Sequence, residues 1–324
     1  MGRRAGPAAA VRLVTGRDAL NAARVEPSAH EQHPKRRINE VSVLLGEREH
    51  DIAELVAATL RSVVDEAVRV TGAPLAAGTV LTHPAAWGTI RKDILLDAAA
   101  RAGLADPVLV PEPVAAATYF MEVLGHDLAP GRSVVIYDLG AGTFDATVVR
   151  RGDEGLDILA ADGLDELGGL DFDALVVTMV GAQAKAAAST VPEGWERLLH
   201  PQTPAERRFA RLLWDDARAA KETLSRLPAT GLSVPSLDLD AHLTRQEFEV
   251  AARPLVARTV RATAAVLRAA RVPAADVAGL FLVGGSTRIP LVATLLFQEL
   301  GIQPVVLEQP ETVVAEGAQR WVAK

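Results

Sequence analysis

The chain has 324 residues, 49% hydrophobic but only 4% aromatic, with a formal net charge of −7 and no cysteine. That length exceeds what a single core usually supports, so two lobes with aliphatic cores are expected, while arginines scattered among the acids exclude an extended nucleic-acid surface. The missing thiols exclude disulfides, thiolate catalysis and cysteine metal sites, which fits a reducing cytoplasm. Met1 to Pro7 has two arginines but no apolar h-region behind them, and no apolar run reaches spanning length, so a cytoplasmic protein with no membrane partner is expected.

In chain order, residues 1–50 read as irregular, with short apolar pieces at Val11–Val14 and Val41–Leu45. Asp51 followed by Glu54 is an N-cap signal, and an apolar face through Ile52, Leu55, Val56, Val63, Val64 and Val68 predicts a helix that Gly72 stops. A strand at Thr79–Thr82, a helix at Thr89–Ala102 closed by Gly103, a strand at Pro107–Val110 and a helix at Val114–Leu124 follow. Val134–Val149 reads as a hairpin, Leu156–Ala160 as a strand, and a helix starts near Asp171. Residues 186–206 look like a variable excursion. Ala205–Leu227 returns to helix, Leu232–Leu239 to strand, and Thr244 with Glu247 opens a long helix to Arg271. Strand Leu280–Val283 and helix Pro290–Leu300 complete an α/β alternation.

The segment VVIYDLGAGTFDATVVR, Val134–Arg150, carries the strongest signal. Two strands fold over Gly140-Ala141-Gly142, a turn that points peptide N–H groups outward and so suits an anion, with the Thr143 hydroxyl as a further donor. Asp138 and Asp145 bracket it with the oxygen ligands that a hydrated Mg²⁺ takes. This stretch matches neither the P-loop nor the dinucleotide G-x-G-x-x-G pattern, and an ordinary hairpin with a glycine bulge would share its Gly-x-Gly core. The full D-L-G-A-G-T-F-D, however, resembles the second phosphate motif of the actin-like ATPases, and among them the nucleotide-binding domain of the DnaK-type, seventy-kilodalton heat-shock chaperones.

A second signal is Val283-Gly284-Gly285-Ser286-Thr287-Arg288-Ile289-Pro290, a strand ending in two glycines before a capped helix. Packing alone could require the glycines. The segment also resembles the family's adenosine motif, which implies nucleoside contacts from Gly284, Gly285, Ser286 and Arg288, the last stacking its guanidinium plane on the base. The same resemblance places Lys221 and Ser225 of KETLS beside the adenine, where solvent-facing helix positions are the other reading. Glu166–Asp173, ELGGLDFD, resembles the family's L-G-G-E-D-F-D: Gly168 and Gly169 would approach ribose and phosphate, Asp171 and Asp173 would be structural helix-start acids, and Leu170 departs from the family's glutamate. Glu112 in Pro111-Glu112-Pro113 either complements a helix dipole or, as the resemblance implies, orients the attacking water. Lys35 in Pro34-Lys35-Arg36-Arg37 is either part of a solvated basic patch or the lysine that reaches the transferred phosphate, and Glu311 matches an acidic position that helps hold Mg²⁺ waters.

The resemblance therefore implies a two-lobed actin-like (ribonuclease H-like) ATPase fold, truncated at its amino end. Lobe I would take residues 1–130 plus a returning helix at 308–324, and lobe II 131–307 with a subdomain at about 171–243. ATP or ADP with Mg²⁺ would be the cofactors, through Asp138, Asp145 and Glu311 by way of waters, and protein clients or co-chaperones the partners. No D-x-G-T-T segment, the family's first phosphate motif, precedes Lys35. Losing about three charge-assisted bonds would remove roughly 4–9 kcal/mol of binding, so weak ATP binding and poor hydrolysis are expected of this chain, with a non-hydrolysing regulatory module or a truncated gene product as the alternative. A sugar kinase of the same superfamily would need an aspartate base in the first lobe, and none stands out.

Overall fold

The computed structural model describes residues 13–75, 78–187 and 193–321. They divide into two units, one taking the chain up to Thr79 together with Thr89–Pro107, the other Val80–Gly88 together with the chain from Val108 onward.

In the first unit the irregular reading of residues 1–50 is corrected for the described part. Helix α1 (Gly16–Val25) is followed by the antiparallel pair β1 (Ser42–Leu45) and β2 (Arg48–Asp51), with Ser42 opposite Asp51. Each strand has four residues and buries only one, Val43 or His50, so neither leaves a readable alternation; Gly46 at φ +62° permits the turn between them. Helix α2 (Ile52–Thr71) starts where expected because Asp51 Oδ1 accepts the Glu54 N–H at 2.8 Å, and it ends at Gly72 in the left-handed region. Helix α3 (Thr89–Arg101) packs on it through Ala53, Ala57 and Ala98.

The second unit holds the parallel pair β3 (Val80–His83) and β4 (Val108–Pro111), then α4 (Glu112–Glu122), which begins two residues before the expected Val114 because Pro113 is tolerated in a first turn. Strands β5 (Ser133–Leu139), β6 (Phe144–Arg151) and β7 (Leu156–Leu164) form an antiparallel meander, followed by helices α5 (Gly169–Ala187), α6 (Glu193–Leu199) and α7 (Pro204–Leu224). Of the excursion at 186–206, residues 188–192 lie outside the described residues; the rest includes α6, whose Trp195 and Leu198 are buried. The single strand expected at Leu232–Leu239 is instead the hairpin β8 (Ala229–Val234) and β9 (Leu239–Thr244): Pro235 cannot continue a ladder, and Asp238 turns the chain at φ +50°. Helix α8 (Arg245–Ala270), strand β10 (Val277–Val283), helix α9 (Pro290–Leu300), strand β11 (Pro304–Val305) and helix α10 (Val313–Trp321) complete the unit.

The sheet order is β11-β10-β5-β6-β7, with β10 parallel to β5 and β11. Period-two alternation sorts β5 between two cores. Val135, Tyr137 and Leu139 join Phe172 of α5, Ala217 of α7 and Val256 of α8, whereas Val134 and Ile136 join Phe120 of α4, Phe281 of β10 and Val313 of α10. Each such side chain contributes on the order of 1.5–3 kcal/mol by burial. Asp138 is next in the second series, so its carboxylate shares a sheet face with Val134 and Ile136. On the opposite face the Tyr137 hydroxyl lies 2.5 Å from Thr259 Oγ1, which itself donates to the Val256 carbonyl at 2.7 Å. Tyr137 is therefore the donor, and burial pushes its hydroxyl pKa well above the ordinary value.

Helices α4 and α10 cross closely because their facing residues are small: Ala115, Ala116 and Ala117 are wholly buried, and a Cβ added to Gly317 would overlap the Ala115 carbonyl. Gly317→Ala is expected to lower stability by about 2 kcal/mol or more, since overpacked backbone cannot yield as a flexible side chain can; an unchanged urea midpoint would contradict this packing.

Candidate functional site

The β5–β6 register places Asp138 opposite Asp145 and Leu139 opposite Phe144, leaving Gly140–Thr143 as the whole connection. The Gly140 N–H donates to the Thr143 carbonyl at 3.0 Å. That amide, counted among the phosphate donors in the sequence reading, is thus engaged inside the turn. Ala141 is exposed at the tip, and Gly142 and Thr143 are half-buried beside it.

The two carboxylates sit on one sheet face between two glycines. A Cβ on Gly284, at φ +85°, would stand 2.6 Å from Asp138 Oδ1 and 2.5 Å from the Leu139 carbonyl, and a Cβ on Gly163, the β7 partner of Asp145, would stand 3.0 Å from Asp145 Oδ1. Room for the acids is made by leaving side chains out on both sides. Among the described residues no three His, Cys, Asp or Glu side chains cluster as a direct ligand set. An all-oxygen pair of acids, half-buried on one face, suits a hard cation that keeps most of its water, as Mg²⁺ does.

Three glycine-bearing segments meet at this turn. The Gly169 N–H donates to the Gly140 carbonyl at 2.9 Å and the Leu170 N–H to the Ala141 carbonyl at 2.8 Å, while Ser286 Oγ donates to the same Gly140 oxygen at 2.9 Å. Gly168 can carry no side chain, since its Cβ would lie 2.6–2.7 Å from the Gly142 backbone. Asp171 closes the loop locally by accepting the Gly168 N–H at 2.8 Å. Gly285 differs: a Cβ there meets nothing within 4 Å, so packing within the chain does not require that glycine.

Lys221, at the buried face of α7, is 8% exposed, which rules out the solvent-facing reading. Its ammonium lies 2.7 Å from Asp173 Oδ1 on α5 and donates to the Gly169 carbonyl at 3.0 Å. Burial pushes the Asp173 carboxyl above its ordinary range, against the pull of Lys221. Sequence reasoning gave Asp173 only a helix-start role; no local spacing links residues so far apart in the chain. Ser225 ends α7, its hydroxyl donating to the Lys221 carbonyl at 3.1 Å. Arg288 donates to the Glu308 carbonyl at 2.7 Å and to both Glu311 oxygens at 3.0 and 3.1 Å, so the residue assigned to the base and the one assigned to the metal waters hold each other. The Gly284 N–H, donating to the Pro310 carbonyl at 3.0 Å, brings those segments together. Glu112 is the first residue of α4 and half-buried, at the start of the helix whose Ala116, Ala117 and Phe120 cover the Val134–Ile136 face. Lys35 is exposed in the one-turn helix Pro34–Arg37 and belongs to the other unit.

Gly168→Ala tests this junction. Pushing the loop off Gly142 is expected to break the Gly169 and Leu170 amide bonds and speed hydrogen exchange at both by about tenfold, the equivalent of roughly 1.4 kcal/mol. Unchanged protection would mean the loop docks by other means.

Residues 22–321 match the Hsp70 protein family. Among curated relatives, the chaperone protein HscA homologs of Burkholderia pseudomallei (strain 668) and Burkholderia orbicola (strain MC0-3) are each 38% identical over 245 residues, and that of Burkholderia mallei (strain SAVP1) is 37% identical. Each match covers 74% of this chain but 36% of the relative, so the chain spans about a third of the length of the proteins it resembles. With a family match over nearly its whole length, and with the glycine turn, the L-G-G loop and the G-G-S-T-R segment joined around one carbonyl, this chain is a member of the Hsp70 family and has its α/β actin-like ATPase fold.

Proposed function

We propose that the chain works as the nucleotide-binding domain of an Hsp70-type chaperone, binding ATP and ADP with Mg²⁺ at the Gly140–Thr143 turn and hydrolysing ATP there. The observation that carries the reading is the shared Gly140 carbonyl: Gly169 and Ser286 both donate to it, so the segments assigned to phosphate, ribose and base belong to one junction. In this reading the outward amides at Ala141 and Gly142 and the Thr143 hydroxyl hold the phosphates. Gly168, Gly169, Gly284, Gly285 and Ser286 form the nucleoside floor, with Lys221 and Ser225 on the adenine side.

Asp138 and Asp145 would hold the water shell of Mg²⁺, joined by Glu311 once it leaves Arg288; the ion supplies neutralisation of phosphate charge. Glu112 would orient the attacking water and Lys35 would stabilise charge on the transferred phosphate, with lobe I at residues 1–130 plus 308–324 and lobe II at 131–307. Since no D-x-G-T-T segment occurs in the sequence, binding is expected to be weak. Protein clients and co-chaperones are the partners this reading implies, and the cytoplasm its compartment; no helix among the described residues is long and apolar enough to cross a membrane. The second reading, a non-hydrolysing regulatory module, is favoured by the Arg288–Glu311 pair, which keeps two of the assigned groups engaged with each other.

Calorimetry with Mg²⁺-ADP and phosphate release from ATP test both. Saturable ADP binding with slow release is expected, and Glu112→Ala is expected to reduce release by about 100-fold, the scale of a lost water-orienting carboxylate, with ADP affinity kept. Binding with no release from the wild-type chain would favour the second reading, and no binding would overturn both.

A further inference from the structure

Lys221 on α7 and Asp173 on α5 form a buried ion pair. Removing two charges from water is costly, and replacing such a pair by apolar residues is often neutral or stabilising, so a buried pair is weak evidence for a stabilising role. Its placement is more informative. Lys221 Nζ touches the Gly169 carbonyl, and Gly169 in turn donates to Gly140; a Cβ on Gly169 would stand 3.2 Å from that ammonium and 2.7 Å from Ser286 Oγ. The ammonium therefore stands where all three glycine segments meet. It has three N–H donors. One goes to the Gly169 carbonyl, the charge is paired with Asp173 Oδ1 at 2.7 Å, and no other acceptor among the described residues is in hydrogen-bond contact with the ammonium.

We propose that Asp173 is a positioning residue for nucleotide binding: it holds the Lys221 ammonium fixed against Gly169, so that an N–H not used there is presented to the bound nucleoside. This rests on the nucleotide-binding reading. Without the carboxylate, the long lysine stem is free to turn from the junction. The other charged groups that act on the Asp173 carboxyl, Arg218 and Glu222, lie on α7 itself.

The test uses the full 324-residue chain with two readouts. Calorimetry measures ADP affinity, and mass-spectrometric mapping follows amine acylation of Lys221 against exposed Lys185 on α5. In Asp173→Asn, Lys221, released from its buried contacts, is expected to react faster relative to Lys185, and ADP affinity is expected to fall about tenfold. Asp173→Glu should restore both, which a purely structural role for the site would not require. If the wild type binds no ADP, the nucleotide reading fails and this proposal with it; if the wild type binds and Asp173→Asn binds equally well, this proposal alone fails. Should Asp173→Asn not fold, Lys221→Met is compared with the Lys221→Met, Asp173→Asn double variant. Equal ADP affinities support action through Lys221, and a further loss in the double variant overturns it.

Discussion

One carbonyl oxygen, that of Gly140, carries the convergence on which the site depends. It accepts from the Gly169 amide and the Ser286 hydroxyl at the same distance, 2.9 Å, and so ties residues far apart in sequence to one bend. Each bond contributes only about 1 kcal/mol net, but both depend on backbone approaching closer than any Cβ permits, at Gly168, Gly169 and Gly284. The glycines there are a steric requirement of the junction before they are a matter of ligand access. Gly285, with open space where its side chain would be, is the exception.

The sheet explains how the acids come to be beside that junction. Strand β5 is buried on both faces, so six of its seven residues are buried and Asp138 alone is half-exposed. Its antiparallel pairing with β6 makes Asp145 its direct neighbour, and the parallel pairing with β10 delivers Val283 alongside and Gly284 just past the strand end. Two acids on one face, open to solvent only at the end of the strand, follow from period-two alternation and from a turn too short to shift the register.

Much of this was legible in the residues. The cap at Asp51, the capping box at Thr244 and the glycine stop at Gly72 act over three or four residues, so the helix ends they mark can be read from local spacing. The hairpin of D-L-G-A-G-T-F-D is local in the same sense. What was not legible is long-range or short. The β1–β2 pair has four residues a side and little alternation, and β8–β9 read as one strand because Pro235–Leu237 keeps an apolar residue in the bend. The Lys221–Asp173 pair joins two helices whose approach no spacing predicts, and the Arg288–Glu311 pair joins two residues that had been given separate roles.

The central claim is that the three glycine segments form one nucleotide-binding surface around the Gly140–Thr143 turn. Amide chemical shifts of the ¹⁵N-labelled chain, recorded as Mg²⁺-ADP is added, test it most directly. The account predicts saturable shifts grouped at Ala141, Gly142, Thr143, Gly169, Gly285 and Ser286, with α1 and the β1–β2 pair hardly moving. Shifts grouped elsewhere, or confined to only one of the three segments, would contradict it.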